Sequence, residues 1–340
     1  MEFEILDILN KNGFESYIVG GYVRDYYLNK KTTDVDITTS AKVCDLKKLF
    51  DVVSEKYSSV KINYKEKIYE ITTYRKEFFY VKHRYPFAVL FTKNVKKDLK
   101  RRDFTVNALL MDRNKNIIDY VNGCNDLDNH IIRMIGRTSR IKQDSLRILR
   151  AIRLATTLNF KIDKSLEYYI KKYGYLISYL SSDRIKYELD KIFESDNLLY
   201  GISLIKNYNL NKYLKLGNID NIVFIPNLNY IWAQVDCSNY NFKKGDLKEI
   251  NRIKKALDKD IDSYLVYKYG VDMCKNICKL KSIDENIISD IYNSLVIKNR
   301  KDIKYDLSLL NKELVEEIEY LIVTLKIDNN EKSIKKYINQ

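Results

Sequence analysis

The chain has 340 residues, enough for two or three domains that each bury a core, and carries 60 Lys and Arg against 46 Asp and Glu, a formal charge of +14. That excess favours polyanionic partners through counterion release and steering, although a Lys-, Asn-, Ile- and Tyr-rich, Pro-poor composition drawn from a skewed genome produces it as well. No stretch approaches the roughly 18 uninterrupted apolar residues of a membrane span, and the N-terminus MEFEILDILNKNGF carries acids where a signal peptide carries lysines. The five cysteines are scattered, and the one close pair, Cys274 and Cys278, has no histidine or further cysteine nearby. They read as small buried residues on one helix face, which predicts no zinc, no membrane segment and a reduced, cytoplasmic protein.

In chain order, ESYIVG and DVDITT read as short strands, CDLKKLFD as a helix, and SSVKIN and KIYEITTYR as further strands. After about residue 140 the strand signals nearly vanish. Amphipathic helical patterns then run to the C-terminus, with weak breaks near KLGNIDN and IPNLNY. The expected class is α+β: a small mixed sheet with helices over residues 1–138, then all-α segments over 139–200 and 201–340.

Residues 17–40, YIVGGYVRDYYLNKKTTDVDITTS, carry the first chemistry. In a strand Asp34 and Asp36 project together while Val35 and Ile37 face a core. Two adjacent carboxylates repel unless a cation sits between them. Oxygen-rich sites suit Mg2+, and two such ions about 3.5–4 Å apart activate an attacking hydroxyl while stabilising a leaving phosphate. At Gly20 and Gly21 the backbone can turn tightly and present amide N–H groups at the start of the helix YVRDYYL, a phosphate cradle. Each piece alone has a plainer reading: an exposed D-x-D, a Gly-Gly turn, an Arg24–Asp25 surface ion pair. Their joint order and spacing point to phosphoryl chemistry.

In RRDFTVNALL, Arg101, Arg102 and Asp103 precede a helix-compatible apolar run, so the arginines can meet phosphate or ribose while Phe104, Val106 and Leu109 pack. Asp103 is placed to cap that helix and Asn107 to support the site from behind. From Gln143 onward, Asp144, Arg147, Arg150 and Arg153 recur every three residues, a polar row winding along a helix whose other side carries Leu146, Leu149 and Ile152. Nine helical residues span about 13.5 Å, close to an extended nucleoside triphosphate. Cytosine and adenine both present an amino donor beside a ring-nitrogen acceptor; uracil and guanine present the reverse. A carboxylate at Asp144 with a guanidinium at Arg147 suits C and A. The plainer alternative is an i,i+3 salt bridge worth about 0.2–0.5 kcal/mol.

Strand, G-G-x-V-R-D, helix, then D-x-D on the next strand resembles the head of the class II nucleotidyltransferases of the polymerase β superfamily. More closely, the chain resembles the bacterial tRNA nucleotidyltransferases that add CCA, a family shared with bacterial poly(A) polymerases. DLKRRDFTVNALLMD (98–112), DYVNGCNDLDNHIIRMIG (119–136), QDSLRILRAIRLATTLNF (143–160) and SSDRIKYELDKIF (181–193) are similar to the second to fifth motifs of that family. The motifs cover residues 17 to about 195; the remainder matches only in being helical.

The resemblance implies a polymerase-β-like catalytic head over 1–138, a neck with a base-templating helix over 139–200, and a body and tail over 201–340 that bind tRNA at its acceptor end and minihelix. It implies catalysis by Asp34 and Asp36 with Mg2+, CTP and ATP as substrates, and nucleotide contacts from Gly20, Gly21, Arg24, Arg102, Asp144, Arg147, Arg150 and Arg153. Glu70, on the YEITTYR strand, is the candidate third metal carboxylate, with an exposed strand glutamate as the alternative. Two positions depart from the family: Gln143 stands where Glu is usual and Asn29 where Gly is usual. A compact chain without a long basic C-terminal extension favours a tRNA enzyme over a poly(A) polymerase. Residues 75–97 leave room for the flexible loop that CC-only relatives lack, which favours full CCA addition over CC-only or A-only activity. A catalytically dead RNA-binding module would normally have lost one of the two aspartates. His83 and His130 stand alone, so the histidine-built phosphohydrolase domain of some relatives is not expected. Oligomeric state is left open.

Overall fold

The structure, a computed structural model, describes residues 1–340 except 33, 57, 82–84, 309 and 340, with backbone alone at 79–81, 85 and 86. The chain divides into two compact units, 1–217 and 218–340.

The first unit opens with α1 (Glu2–Lys11), β1 (Ser16–Val19), α2 (Gly21–Tyr27), β2 (Asp36–Thr39) and α3 (Val43–Leu49). A meander of β3 (Asp51–Lys56), β4 (Ser59–Tyr64) and β5 (Lys67–Thr73) follows, then a separate hairpin of β6 (Arg75–Val81) and β7 (Tyr85–Phe91). After α4 (Val95–Leu99), the short strands β8 (Leu110–Met111) and β9 (Ile117–Ile118) complete a mixed sheet of order β3-β4-β5-β2-β1-β8-β9. Only β2 and β5 pair in parallel within it. Period-2 alternation decides which face is wet: on β5, Tyr69, Ile71 and Thr73 are buried while Ile68, Glu70 and Thr72 lie on the other face. Val60 and Ile62 of β4 and Ile37 of β2 join the same core.

The helical remainder of this unit is α5 (Gly123–Asp128), α6 (Leu146–Leu158), α7 (Lys164–Tyr173), α8 (Ser182–Phe193) and α9 (Leu198–Asn207), with a two-residue parallel bridge of β10 (Ile131–Ile132) and β11 (Lys161–Ile162). α6 is buried on nearly every side, packing against α8 and α9. A glycine is required where α9 meets them: a Cβ on Gly201 would stand 2.7 Å from Thr156 Oγ1 and 2.8 Å from Ile192.

Three local expectations are revised. The apolar run after Asp103 forms only a single 3-10 turn, Thr105–Asn107, because the residues beyond it pair with β1 as β8. Asp103 accordingly caps no helix; its Oδ1 accepts the Phe104 N–H at 2.9 Å. Asp144 precedes α6 and makes a local turn, Oδ1 accepting from Leu146 N at 3.1 Å, so the row along the helix itself is Arg147, Arg150 and Arg153. Asn29 has φ +54°, a left-handed conformation that glycine adopts freely and asparagine tolerates, which accounts for that departure.

The second unit is helical, including Leu228–Ala233, Lys244–Leu257, Ser263–Tyr269, Val271–Leu280, Ile287–Ser294, Lys312–Val323 and Glu331–Ile338. Trp232 is fully buried beside Tyr240 and Phe242, at ring separations of 5.0 and 5.1 Å. Cys274 and Cys278 lie buried on one helix with Ile277, and burial pushes the Cys274 thiol up to about 12. Buried Glu319 accepts from the Tyr267 hydroxyl at 2.9 Å and Arg300 Nε at 2.7 Å. Among the described residues no helix is long and apolar enough to cross a membrane. His83 lies outside the described residues; His130, in the first unit, stands edge-on to Phe160.

Candidate active site

Where β1 ends, Gly20 takes φ +87° and the chain turns into α2. A Cβ there would sit 3.5 Å from Asp36 Oδ2, so the turn and the carboxylate approach closely. Asp36 opens β2 and pairs in register with Glu70 on parallel β5, which sets the two acids side by side on the face opposite the core. Gly20, Gly21, Asp36 and Glu70 all line one cavity of about 750 Å³. Desolvation in this concave setting, the charge of Glu70 and, more weakly, that of Asp34 push the Asp36 carboxyl above its usual range, while Arg102 opposes them. Asp34 is exposed and precedes the strand; Val35 and Ile37 on either side of Asp36 are buried, as the alternation predicts.

Among the described residues no group of three or more His, Cys, Asp or Glu side chains is placed to hold an ion alone. The donor chemistry nonetheless fits a divalent cation. Asp36 and Glu70 offer only oxygens, their like charges are only partly offset by Arg102, and Mg2+ is commonly held by one or two carboxylates with substrate phosphates completing its shell.

The basic lining comes from other elements. Arg102, on the turn after α4, is mostly buried; desolvation pulls its guanidinium down, Asp98 opposing, and its Nε has no hydrogen-bond partner. Arg147 is buried, donating from Nη1 to the Arg140 carbonyl at 2.9 Å and from Nη2 to the Arg101 carbonyl at 3.4 Å. Arg140 grips the same turn, reaching the Arg101 carbonyl at 2.8 Å and the Arg102 carbonyl at 3.3 Å. Arg150 Nε donates to Asp103 Oδ2 at 2.5 Å, and Asp103 foremost holds the Arg150 guanidinium well above its usual range. Burial alone would raise the Asp103 carboxyl, but Arg150, the Phe104 N–H and Arg147 outweigh it and hold Asp103 below the usual range. Arg153 meets the buried Glu188 of α8 at 3.2 Å, and Arg150 lies 3.9 Å from the same carboxylate.

Of the residues anticipated from sequence, the cavity thus brings together Gly20, Gly21, Asp36, Glu70, Arg102, Asp144, Arg147 and Arg150. Arg24 is directed elsewhere: it forks onto Asp25 at 2.8 and 2.9 Å and donates to Asn107 Oδ1 at 2.7 Å, bracing α2 against the 3-10 turn. Arg153 stands behind Arg150 through Glu188. Sequence reasoning missed Asp98, Glu77, Arg140, Arg184 and Glu188. Asp98 had a signal, since it lies three and four residues before Arg101 and Arg102. Glu188 had none, being joined to Arg153 only by helix packing.

The family described as "Poly A polymerase head domain" matches residues 16–133, and "Probable RNA and SrmB- binding site of polymerase A" matches residues 159–216. The CCA-adding enzyme of Lactobacillus johnsonii is 30% identical, over 98% of this chain and 96% of its own. That of Staphylococcus haemolyticus is 31% identical, over 99% and 96%. The chain belongs to the CCA-adding enzyme family. Solved structures share its fold: the Bacillus stearothermophilus CCA-adding enzyme in complex with CTP gives a TM-score of 0.79 at 24% identity, covering 99% of this chain and 95% of that one. The Thermotoga maritima CCA-adding enzyme complexed with tRNA gives 0.71 at 20% identity, covering 99% and 94%. A nucleotidyltransferase head followed by a helical region is therefore the architecture of this chain, and nucleotidyltransferases of this type use divalent metal ions.

Proposed function

We propose that this protein adds CCA to the 3′ end of tRNA without a nucleic-acid template, using CTP and ATP with Mg2+ and releasing pyrophosphate. The observation that carries this reading is that one cavity is lined both by the in-register carboxylates Asp36 and Glu70 and by the base-reading candidates Asp144 and Arg147. Asp34 and Asp36, with Glu70, would hold the metal, whose positive charge would favour attack by the tRNA 3′-hydroxyl and departure of pyrophosphate. Gly20 and Gly21 let the triphosphate approach the backbone where side chains would stand in its way. Arg102 meets phosphate or ribose with a guanidinium that is already desolvated. Asp144 accepts from the amino group of C or A while Arg147 donates to the ring nitrogen, so U and G leave both groups mispaired.

Arg150 contacts the nucleotide from the cavity lining, and Arg153 supports that contact through their shared Glu188. Arg24 serves the same nucleotide by bracing the Gly20–Gly21 turn. In this reading residues 1–138 are the catalytic head, 139–200 the neck and 201–340 the tRNA-binding body and tail, acting in the cytoplasm. The test is product length on tRNA ending at the discriminator base, with Mg2+ and each nucleotide separately and together. Three additions with CTP plus ATP, two with CTP alone and none with ATP alone are expected. A long adenosine tail, or arrest after two cytidines with both nucleotides present, overturns the full CCA assignment.

A further inference from the structure

Asp98 closes α4 and is completely buried, an unusual position for a carboxylate that serves no helix cap. Its two oxygens do separate work. Oδ1 accepts the backbone N–H of Arg75, the first residue of the β6–β7 hairpin, at 3.1 Å and Arg101 Nε at 2.9 Å. Oδ2 accepts Arg102 Nη2 at 3.3 Å. Glu77 adds a second carboxylate, 2.7 Å from Arg75 and 3.6 Å from Arg101. Three guanidiniums therefore face two carboxylates, and the one on the edge of this network is Arg102, whose buried Nε is left with no partner. Such a group strongly favours an anion delivered from the cavity that it lines.

We propose that Asp98 is a positioning residue for nucleotide binding: it touches no substrate, but its Oδ2 sets the direction of Arg102, which lines the cavity that receives the nucleotide. The inference rests on the assignment of Arg102 as a nucleotide contact made above. The geometry makes Asp98 suited to this. It sits on a helix end rather than a loop, its other oxygen is saturated by two donors, and so it has one orientation to offer Arg102. Arg101, held by Asp98 and Glu77, is left as support and not as a ligand.

The experiment is a double-mutant cycle on the full-length protein: Asp98→Asn, Arg102→Ala and the pair, with KM for CTP and for ATP measured separately from kcat and from the KM for tRNA. Asp98→Asn should raise both nucleotide KM values by roughly ten-fold or more, with the KM for tRNA unchanged. On the Arg102→Ala background, Asp98→Asn should add nothing further. A purely structural Asp98 gives the opposite pattern: lower active fraction and melting temperature, unaltered KM, and additive effects. If Arg102→Ala leaves nucleotide KM at the wild-type value, the assignment of Arg102 fails and takes this inference with it. If Arg102→Ala raises KM but Asp98→Asn does not, only the inference fails. Should Asp98→Asn not fold, the same cycle is run with Asp98→Glu, which keeps the charge but displaces it by one methylene; the same non-additivity is expected, and full additivity overturns the proposal.

Discussion

Among the described residues Asp36 and Glu70 stand side by side with no basic side chain bonded to either, whereas Arg102, Arg147 and Arg150 of the basic lining, and Arg153 behind them, are already engaged by the protein: Arg102 by Asp98, Arg147 by two carbonyls, Arg150 by Asp103, Arg153 by Glu188. The acids are kept together by strand pairing, in spite of their mutual repulsion. The arginines are kept apart and oriented by counter-charges and carbonyls, so the cost of ordering them was met when the chain folded. Repulsion that the native state tolerates marks a place reserved for a cation. Pre-engaged guanidiniums mark a place where a ligand is measured.

This contrast predicts that removing an acid harms activity without harming the fold. Asp36→Ala, and likewise Asp34→Ala, should lower single-turnover addition of both C and A by about 10³-fold or more, with tRNA affinity essentially intact. The melting temperature of Asp36→Ala should equal or exceed that of the wild type, because a repulsive contact with Glu70 is gone. Retained transfer in both variants, or a large drop in stability, would break the distinction between the two linings.

On the basic side the effect should be on selection. Asp144→Ala and Arg147→Ala should each reduce discrimination of C and A against U and G by roughly ten- to a hundred-fold, with slower, less selective transfer persisting. Arg147→Ala should also lower the melting temperature, since it gives up bonds to the Arg140 and Arg101 carbonyls, and Asp144→Ala should lower it through loss of the turn to Leu146. Measuring addition of all four nucleotides to tRNA ending in CC, and to tRNA ending before it, separates these outcomes. Wild-type nucleotide ratios in both variants would place base selection elsewhere.

The opening stretch was legible because it obeys local rules. Period-2 alternation put Val35 and Ile37 in the core, and a glycine was needed where φ turns positive at Gly20. Glu70 was legible as a candidate but not as a partner, since a parallel neighbour 34 positions away leaves no local trace. The threefold spacing from Asp144 suggested one continuous helical row, yet the helix begins only after Ser145, and Asp144 uses its carboxylate to shape the approach to it. The run after Asp103 had helical composition, and pairing of β8 with β1 overrode it. Apart from Asp98, what stayed invisible was the acid beneath the arginines: Glu77, Asp103 as an ion-pair partner and Glu188 are set by tertiary packing, which no single sequence window contains.

The smallest effect sharpens the comparison through pH. The Asp103 carboxyl titrates below its ordinary value of 3.8 in the folded state, so the Arg150 pair contributes fully above that value and is lost as pH falls through and beneath it. Asp103→Asn should therefore cost about 1.5–3 kcal/mol near neutrality, and its deficit relative to wild type should shrink toward zero in strong acid. Urea titrations at a series of pH values read this directly; a deficit independent of pH would mean that packing, and not charge, is what Asp103 supplies.

Arg140 and Arg147 both donate to the carbonyl of Arg101. The turn that carries Arg102 and the start of the helix that carries Arg147 are thereby tied together at one carbonyl, so that the residues proposed to meet the phosphates or ribose and those proposed to read the base share one anchor. A purine is wider than a pyrimidine by a fused ring, and rotating the helix alone would give up the bond from Arg147 to the Arg101 carbonyl. Under the function proposed above, a site that takes cytidine first and adenosine last would move turn and helix as one piece, like the arm of a caliper reset between two sizes.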